Sequence, residues 1–266
     1  MKPVLRLTTC QAPIADAFVQ VVTEYLAQQL NLPIEFVNDL PWPERLRQFD
    51  TGEIQICWLC GVSYVWRADQ PTPSLELLAA PVPAPARYQN RPIYFSDVVV
   101  HAASPFHTFA DLRHARWAIN ERTSHSGYFV TRYYLAQYAQ KENCFRAVLE
   151  SGAHQTSVQM ILEGQIEAAA IDSTVLELMV EHQPALKSQL RVITVFGPSP
   201  IPPWVIKTNV NSELRAAIRQ ALSQMHATAM GRAGLAVGQV ARFAGVSDSD
   251  YDPIRHMLVV GQQVPL

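Results

Sequence analysis

Apolar positions in this chain recur with two spacings that alternate from segment to segment. Residues 4–9 make a short apolar-rich run of strand length. Ile14, Phe18, Val21, Val22, Tyr25 and Leu26 then follow the helical period and predict a helix over 14–30. Strand-like runs at 33–37, 54–59 and 75–80 alternate with a short helix at 43–48, closed by Thr51-Gly52, and a helix start at Gly61. The 54–59 run is apolar except for Gln55, the pattern of a strand covered on both faces. Such alternation predicts an α/β fold whose sheets are mainly parallel and flanked by helices.

Residues 81–92 are rich in proline and alanine, and the long strand that follows at 93–100 reads as a crossing into a second lobe. That lobe holds predicted helices at 108–112, 129–140, 155–162 and 173–181. Its predicted strands lie at 117–119, 146–149, 166–171 and 190–196. Gly197-Pro198-Ser199-Pro200-Ile201-Pro202-Pro203 reads as an irregular second crossing. A strand at 204–207, a helix capped at Asn211-Ser212-Glu213 and carrying Leu214, Ile218, Leu222 and Met225, and a short helix at 248–258 complete the pattern. The predicted organisation is residues 1–95 plus 200–266 as lobe I and 96–199 as lobe II. Strand C-termini and helix N-termini would face a ligand cleft between the lobes.

With 266 residues, 48% of them hydrophobic and 17% charged, the chain can bury a sizeable core. A net charge of −2 argues against nucleic acid as a partner. No apolar run nears the roughly 18 residues of a membrane helix, so no membrane insertion is expected. Met1-Lys2-Pro3-Val4 enters a strand without a leader pattern, which predicts a cytoplasmic chain unless a leader has been removed. Cys57-Trp58-Leu59-Cys60 matches C-x-x-C but lies in a predicted buried strand, and we read its cysteines as core; alternatively, Cys10 and Cys60, at strand ends, line the cleft. The histidines show no zinc spacing, and neither a phosphate-binding P-loop nor a nucleophile elbow is present. No metal, cofactor or catalytic residue is therefore expected. Glu142, Glu150 and Glu163 read as charges on solvated faces.

One stretch stands apart, Asn120-Glu121-Arg122-Thr123-Ser124-His125-Ser126-Gly127-Tyr128. It sets three hydroxyl residues and a glycine where a strand gives way to a helix. Backbone N–H groups of a first helical turn lack partners and lie at the positive end of the helix dipole, so an oxyanion is welcome there. The plainer reading is an ordinary N-cap.

Three patches resemble the phosphate/phosphite/phosphonate class of ABC-transporter substrate-binding proteins. They are Tyr94-Phe95-Ser96 with Phe109-Ala110-Asp111-Leu112; Thr123-Ser124-His125-Ser126-Gly127-Tyr128; and Ser151-Gly152-Ala153-His154 with the run from Gly164 to Ser173. Asp250-Tyr251-Asp252-Pro253-Ile254 is similar to the family's ending. The resemblance implies a two-lobed periplasmic-binding-protein-like fold that closes on a small anionic ligand, serves an ABC permease and does no chemistry. It implies that Thr123, Ser124, His125, Ser126 and Gly127 hold the phosphorus oxyanion, with Tyr94 and His154 completing the cage. Tyr64 would add an aromatic hydroxyl from lobe I, and Asp172 with Ser173 would meet the ligand's other end or line the cleft. It also implies a periplasmic location. His125 stands where the family commonly has a smaller hydroxyl residue, which suggests a tighter or pH-sensitive pocket. Residues 200–204 lack the carboxylate that pairs with an aminated ligand. An enzyme or a sensor domain on the same fold, with another small anionic ligand, is the alternative reading.

Overall fold

A computed structural model describes residues 4–138 and 144–266. The chain opens with β1 (Leu5–Thr9), α1 (Asp16–Leu30), β2 (Ile34–Phe36), α2 (Trp42–Thr51), β3 (Ile56–Trp58), α3 (Gly61–Ala68) and β4 (Leu75–Pro83). It continues through β5 (Ile93–His101), β6 (Arg116–Ile119), α4 (Val130–Gln137), β7 (Ala147–Glu150), α5 (His154–Leu162), β8 (Ala168–Asp172), α6 (Ser173–His182), α7 (Leu186–Gln189) and β9 (Leu190–Pro200). It ends with β10 (Trp204–Lys207), α8 (Ser212–Gln224), α9 (Ala229–Val237), β11 (Val240–Ala244) and α10 (Asp252–Gly261). The far end of the helix predicted to reach Gln140, and Glu142, lie outside the described residues, as do residues 1–3. Among the described residues no helix is long and apolar enough to cross a membrane.

Two compact units result: Met1–Ile93 with Pro200–Tyr251, and Tyr94–Ser199 with Asp252–Leu266. In the first, a six-stranded sheet runs in the order β11-β4-β10-β3-β1-β2. The α1 period buries Phe18, Val19, Val22, Tyr25 and Leu26 against Leu7, Ile56 and Trp58. Asn31 ends the helix in the left-handed conformation at φ 47°. The core continues through stacked Trp58 and Trp204, 5.6 Å apart, while the Trp58 indole N–H donates to the Pro202 carbonyl at 2.9 Å.

The mainly parallel expectation needs correction here. Parallel pairing is confined to β1 with β2 and β3, whereas β10 runs antiparallel to both β3 and β4, and β11 antiparallel to β4. Apolar runs show that a strand is buried but not its direction, and β10 arrives without the crossover helix that makes neighbours parallel. The segment 229–244 carried no prediction, yet it forms α9 and β11. Its glycines weaken the helical pattern, but Gly234 is required by packing: a β-carbon there would lie 2.5 Å from Val21 of α1.

The second unit holds a five-stranded sheet in the order β7-β6-β8-β5-β9. β6 is parallel to β7 and β8, and β5 is antiparallel to β8 with Val98 opposite Ala170. Trp117 of β6 stacks on Phe145 at 4.6 Å, and Val98, Val100, Ile119, Val130, Leu135 and Phe196 pack around them. β9 continues through Gly197-Pro198-Ser199-Pro200, which the sequence pattern assigned to an irregular connection. It is an edge strand, where prolines without N–H groups are tolerated.

The tail also departs from expectation. Residues 252–266 group with the second unit, because Met257 and Val264 enter its core and the Arg132 Nε of α4 donates to the Val264 carbonyl at 2.8 Å. The His256 ring meets Tyr133 edge-on at 5.8 Å.

Candidate ligand site

Beyond β6 the chain turns at Asn120, whose carbonyl accepts the Gly152 N–H at 2.9 Å, while Ile119 accepts the Ser151 N–H at 2.8 Å. These bonds fix the loop before α5, and hence His154 at its first turn, beside the hydroxyl-rich stretch. Ser124 is the N-cap: its Oγ accepts the Gly127 N–H at 3.2 Å. The first turn, His125–Phe129, is π-helical, with the Phe129 N–H donating to the Ser124 carbonyl at 3.1 Å, before α4 begins. Single π-turns inside helices are frequent at functional sites. Gly127 is required because a β-carbon there would fall 2.0 Å from Asn120 Oδ1.

The cap and the oxyanion readings thus share residues. Ser124 Oγ lies 3.4 Å from Ser126 Oγ, and Ser126 Oγ lies 2.9 Å from His154 Nε2. His125 Nε2 is 2.9 Å from Ser199 Oγ, and the Tyr94 ring lies 6.2 Å from the His125 ring. All six side chains are buried. The Nδ1 atoms of both histidines are buried without a hydrogen-bond partner. Burial pushes each imidazole down to about 4, so both are neutral near pH 7. That moves His125 out of the range in which the sequence suggested pH sensitivity.

Thr123 stands at the margin, half-buried, its hydroxyl donating to Glu121 at 3.4 Å. Asp172 caps α6 at the end of β8, which packs beside the π-turn. Its Oδ1 accepts from the Thr174 N–H at 2.9 Å and the Thr174 hydroxyl at 2.7 Å. Burial, with the nearby Asp97 charge adding to it, raises its carboxyl to about 6 despite those bonds. Ser173 Oγ accepts the Phe95 N–H at 3.0 Å and so ties α6 to β5. Tyr64 belongs to the first unit, where its hydroxyl donates to Asp248 at 2.7 Å and its ring lies 4.7 Å from Tyr251.

Sequence reasoning missed Ser199 and Asp248, and gave Asn120 no role of its own within the stretch it opens. Ser199 left one trace, as the lone hydroxyl inside a proline cluster. Cys57 is buried as expected, but Cys60 is half-buried at the N-cap of α3, as is Cys10 just past β1. Among the described residues no His/Cys/Asp/Glu group is arranged to hold a metal ion.

Tyr94, Ser124, His125, Ser126, His154 and Ser199 carry no formal positive charge, so they can bind an anion only through oriented dipoles. The N–H groups of His125 and Ser126, at the first positions of the turn, have no acceptor within the helix. Histidine tautomers supply the rest. With the proton on Nε2, His154 donates to Ser126, whose own hydroxyl is then available to another oxygen. With the proton on Nδ1, the unpartnered N–H itself is the donor.

Residues 11–251 match the family described as ABC transporter, phosphonate, periplasmic substrate-binding protein. The chain belongs to that family of transport proteins, which are not enzymes. Among solved structures, it is similar to a binding-protein component of an ABC phosphonate transporter from Pseudomonas aeruginosa, at 19% identity and a TM-score of 0.85 over 98% of this chain and 87% of that one. It is also similar to PhnD1 from Prochlorococcus marinus in complex with methylphosphonate, at 17% identity and a TM-score of 0.85 over 98% and 99% of the two chains. A Xanthomonas citri protein bound to ATP shares the fold at 13% identity and a TM-score of 0.75, over 98% and 97%.

Proposed function

We propose that the chain binds a small phosphonate without an amino group, methylphosphonate being the simplest, and delivers it to the permease of an ABC importer from the periplasm. The observation that carries this reading is the buried chain of neutral donors from Ser124 through Ser126 to His154, set at the opening of a helix. Tyr94, His125 and Gly127 frame it, and Thr123 stands at its margin. Such a group favours a tetrahedral oxyanion, whose oxygens accept several hydrogen bonds at once. The complex of the Prochlorococcus protein supports methylphosphonate as the first ligand to try. The absence of acidic residues from 200–204 argues against an amine, as does the engagement of Asp172 Oδ1 by its own helix. Asp172 belongs to the proposed site at its periphery, whereas Tyr64 lies in the other unit.

The test is a thermal-shift and calorimetric series with methylphosphonate, aminoethylphosphonate, phosphite, phosphate and sulfate. A ligand at about 100 times its dissociation constant adds roughly 2.7 kcal/mol of stability. Methylphosphonate is expected to raise the melting temperature and sulfate to leave it unchanged. Hydrogen bonds to charged groups are worth about 1.5–3 kcal/mol, so Ser126→Ala and Tyr94→Phe should each weaken binding by about ten- to a hundredfold. Binding to no phosphorus oxyanion, or wild-type affinity in both variants, would overturn the assignment.

A further inference from the structure

We propose that Asp172 selects the protonated form of a tetrahedral oxyanion: its Oδ2 accepts the hydrogen of a P–OH group, so that phosphonates are admitted and sulfonates refused. This rests on the ligand reading above and adds what tells two anions of one shape apart. β6, β7 and β8 run parallel, so their C-terminal ends share one edge of the sheet. That edge carries the turn from Ser124 to Gly127 after β6, His154 after β7, and Asp172 at the end of β8. β5 runs the other way and so brings Tyr94 to the same edge, with Ser96 directly opposite Asp172. β8 is paired with β6, and neighbouring strands lie about 4.8 Å apart, so the end of β8 stands one strand spacing from the chain that enters the hydroxyl-rich stretch. β8 also packs against the π-turn itself.

Capping does not account for a carboxylate here. Oδ1 alone takes the donors of α6, the Thr174 N–H and hydroxyl at 2.9 and 2.7 Å and the Val175 N–H at 3.4 Å. Among the described residues Oδ2 accepts no hydrogen bond, and no cationic side chain pairs with the group. Asparagine or serine caps a helix as well and leaves no charge to bury. Asp172 is buried, and burial holds its carboxyl up at about 6, so near pH 7 most of it is ionised. A buried carboxylate on the edge of an oxyanion site repels a bare anion. It attracts one that brings a proton, because P–OH donates to an ionised oxygen in a short charge-assisted bond. A phosphonate monoanion has one such hydroxyl and two oxygens left for Ser126, His154 and the N–H groups of the turn. A sulfonate has the same tetrahedral outline but no proton near neutral pH, so its third oxygen meets the carboxylate bare.

Titration calorimetry near pH 7 compares methylphosphonate with methanesulfonate, which share a shape, on the wild-type protein and on Asp172→Asn. Asparagine keeps the Oδ1 acceptor for α6 and puts an NH2 group where Oδ2 stood. The wild type is expected to prefer methylphosphonate by at least about a hundredfold. Asp172→Asn should bind methylphosphonate about ten- to a hundredfold more weakly and methanesulfonate more tightly, so that the ratio collapses. A role in capping alone would weaken both ligands alike and leave the ratio unchanged. Asp172→Ser, which also caps, should lower the ratio too, and it decides if the asparagine variant does not fold. Wild-type affinities within about tenfold of each other, or a ratio unchanged in the variants, would overturn the proposal and leave the ligand reading in place. A preference for aminoethylphosphonate over methylphosphonate that vanishes in Asp172→Asn would overturn it as well, the carboxylate then being the partner of an ammonium group. Binding of no phosphorus oxyanion overturns the ligand reading, and this proposal with it.

Discussion

Acid should weaken this protein more than its composition suggests, because two imidazoles are buried in their neutral form. Each has an ordinary value of 6.5 and is pushed down to about 4 by burial. The unfolded chain therefore binds protons that the folded chain refuses, and stability is lost as the pH falls below 6.5 toward 4. Lowering the pH from 7 to 5 costs about 2 kcal/mol for each histidine. Asp172 works in the opposite direction. Its carboxyl is raised from 3.8 to about 6, so the folded state holds that proton more tightly and recovers stability as the pH falls through 6. Over the same interval it returns about 1 kcal/mol. The histidines win, with a net loss of about 2–3 kcal/mol. Urea unfolding at the two pH values measures this, with each variant compared only with itself. His125→Gln and His154→Gln should each reduce the acid loss by about 2 kcal/mol, and Asp172→Asn should enlarge it by about 1 kcal/mol. If both histidine variants keep the wild-type pH dependence, the rings are not buried and neutral in the folded state, and the reasoning fails.

Further outcomes follow from single contacts. Gly127→Ala should displace Asn120, whose Oδ1 would otherwise lie 2.0 Å from the new β-carbon, and cost about 1–3 kcal/mol. Adding Asn120→Ala should recover part of that loss in a melting experiment. Tyr134 accepts the Gly197 N–H at 2.9 Å, so Tyr134→Phe should cost about 1–3 kcal/mol through the unsatisfied donor, read from urea midpoints. Trp58→Phe removes the indole donor to the Pro202 carbonyl and should destabilise by about 1 kcal/mol or more while keeping most of the aromatic packing.

Much of the candidate site was legible in the sequence because its chemistry is local. Thr123 to Tyr128 places hydroxyls, a histidine and a glycine at a strand-to-helix junction, and such spacing carries meaning without a fold. His154 could be named through resemblance alone; its bond to Ser126 depends on the loop from Asn120 to Gly152, which no periodicity encodes. The π-turn was invisible because five residues are too few to separate one helical period from another. Ser199 was hidden because prolines argue against a strand, and only the edge position of β9 makes them acceptable. Strand directions were misjudged for a related reason: burial leaves a mark on residue type, and direction does not. The tail helix reads correctly as a helix, but its surface does not say which core will take it.

That allegiance of the tail bears on how the molecule is made. The unit that carries the hydroxyl-rich turn is assembled from Tyr94–Ser199 and from Asp252–Leu266. During synthesis its middle segment must therefore wait for the last residues of this sequence before α4 gains α10 as a neighbour and Arg132 gains its carbonyls on Gln262 and Val264. A nascent chain halted before residue 252 would present strands and a hydroxyl-rich turn whose supporting helix has not yet been translated. Damage within residues 252–266 would thus be felt first at the hydroxyl-rich turn, more than a hundred positions earlier.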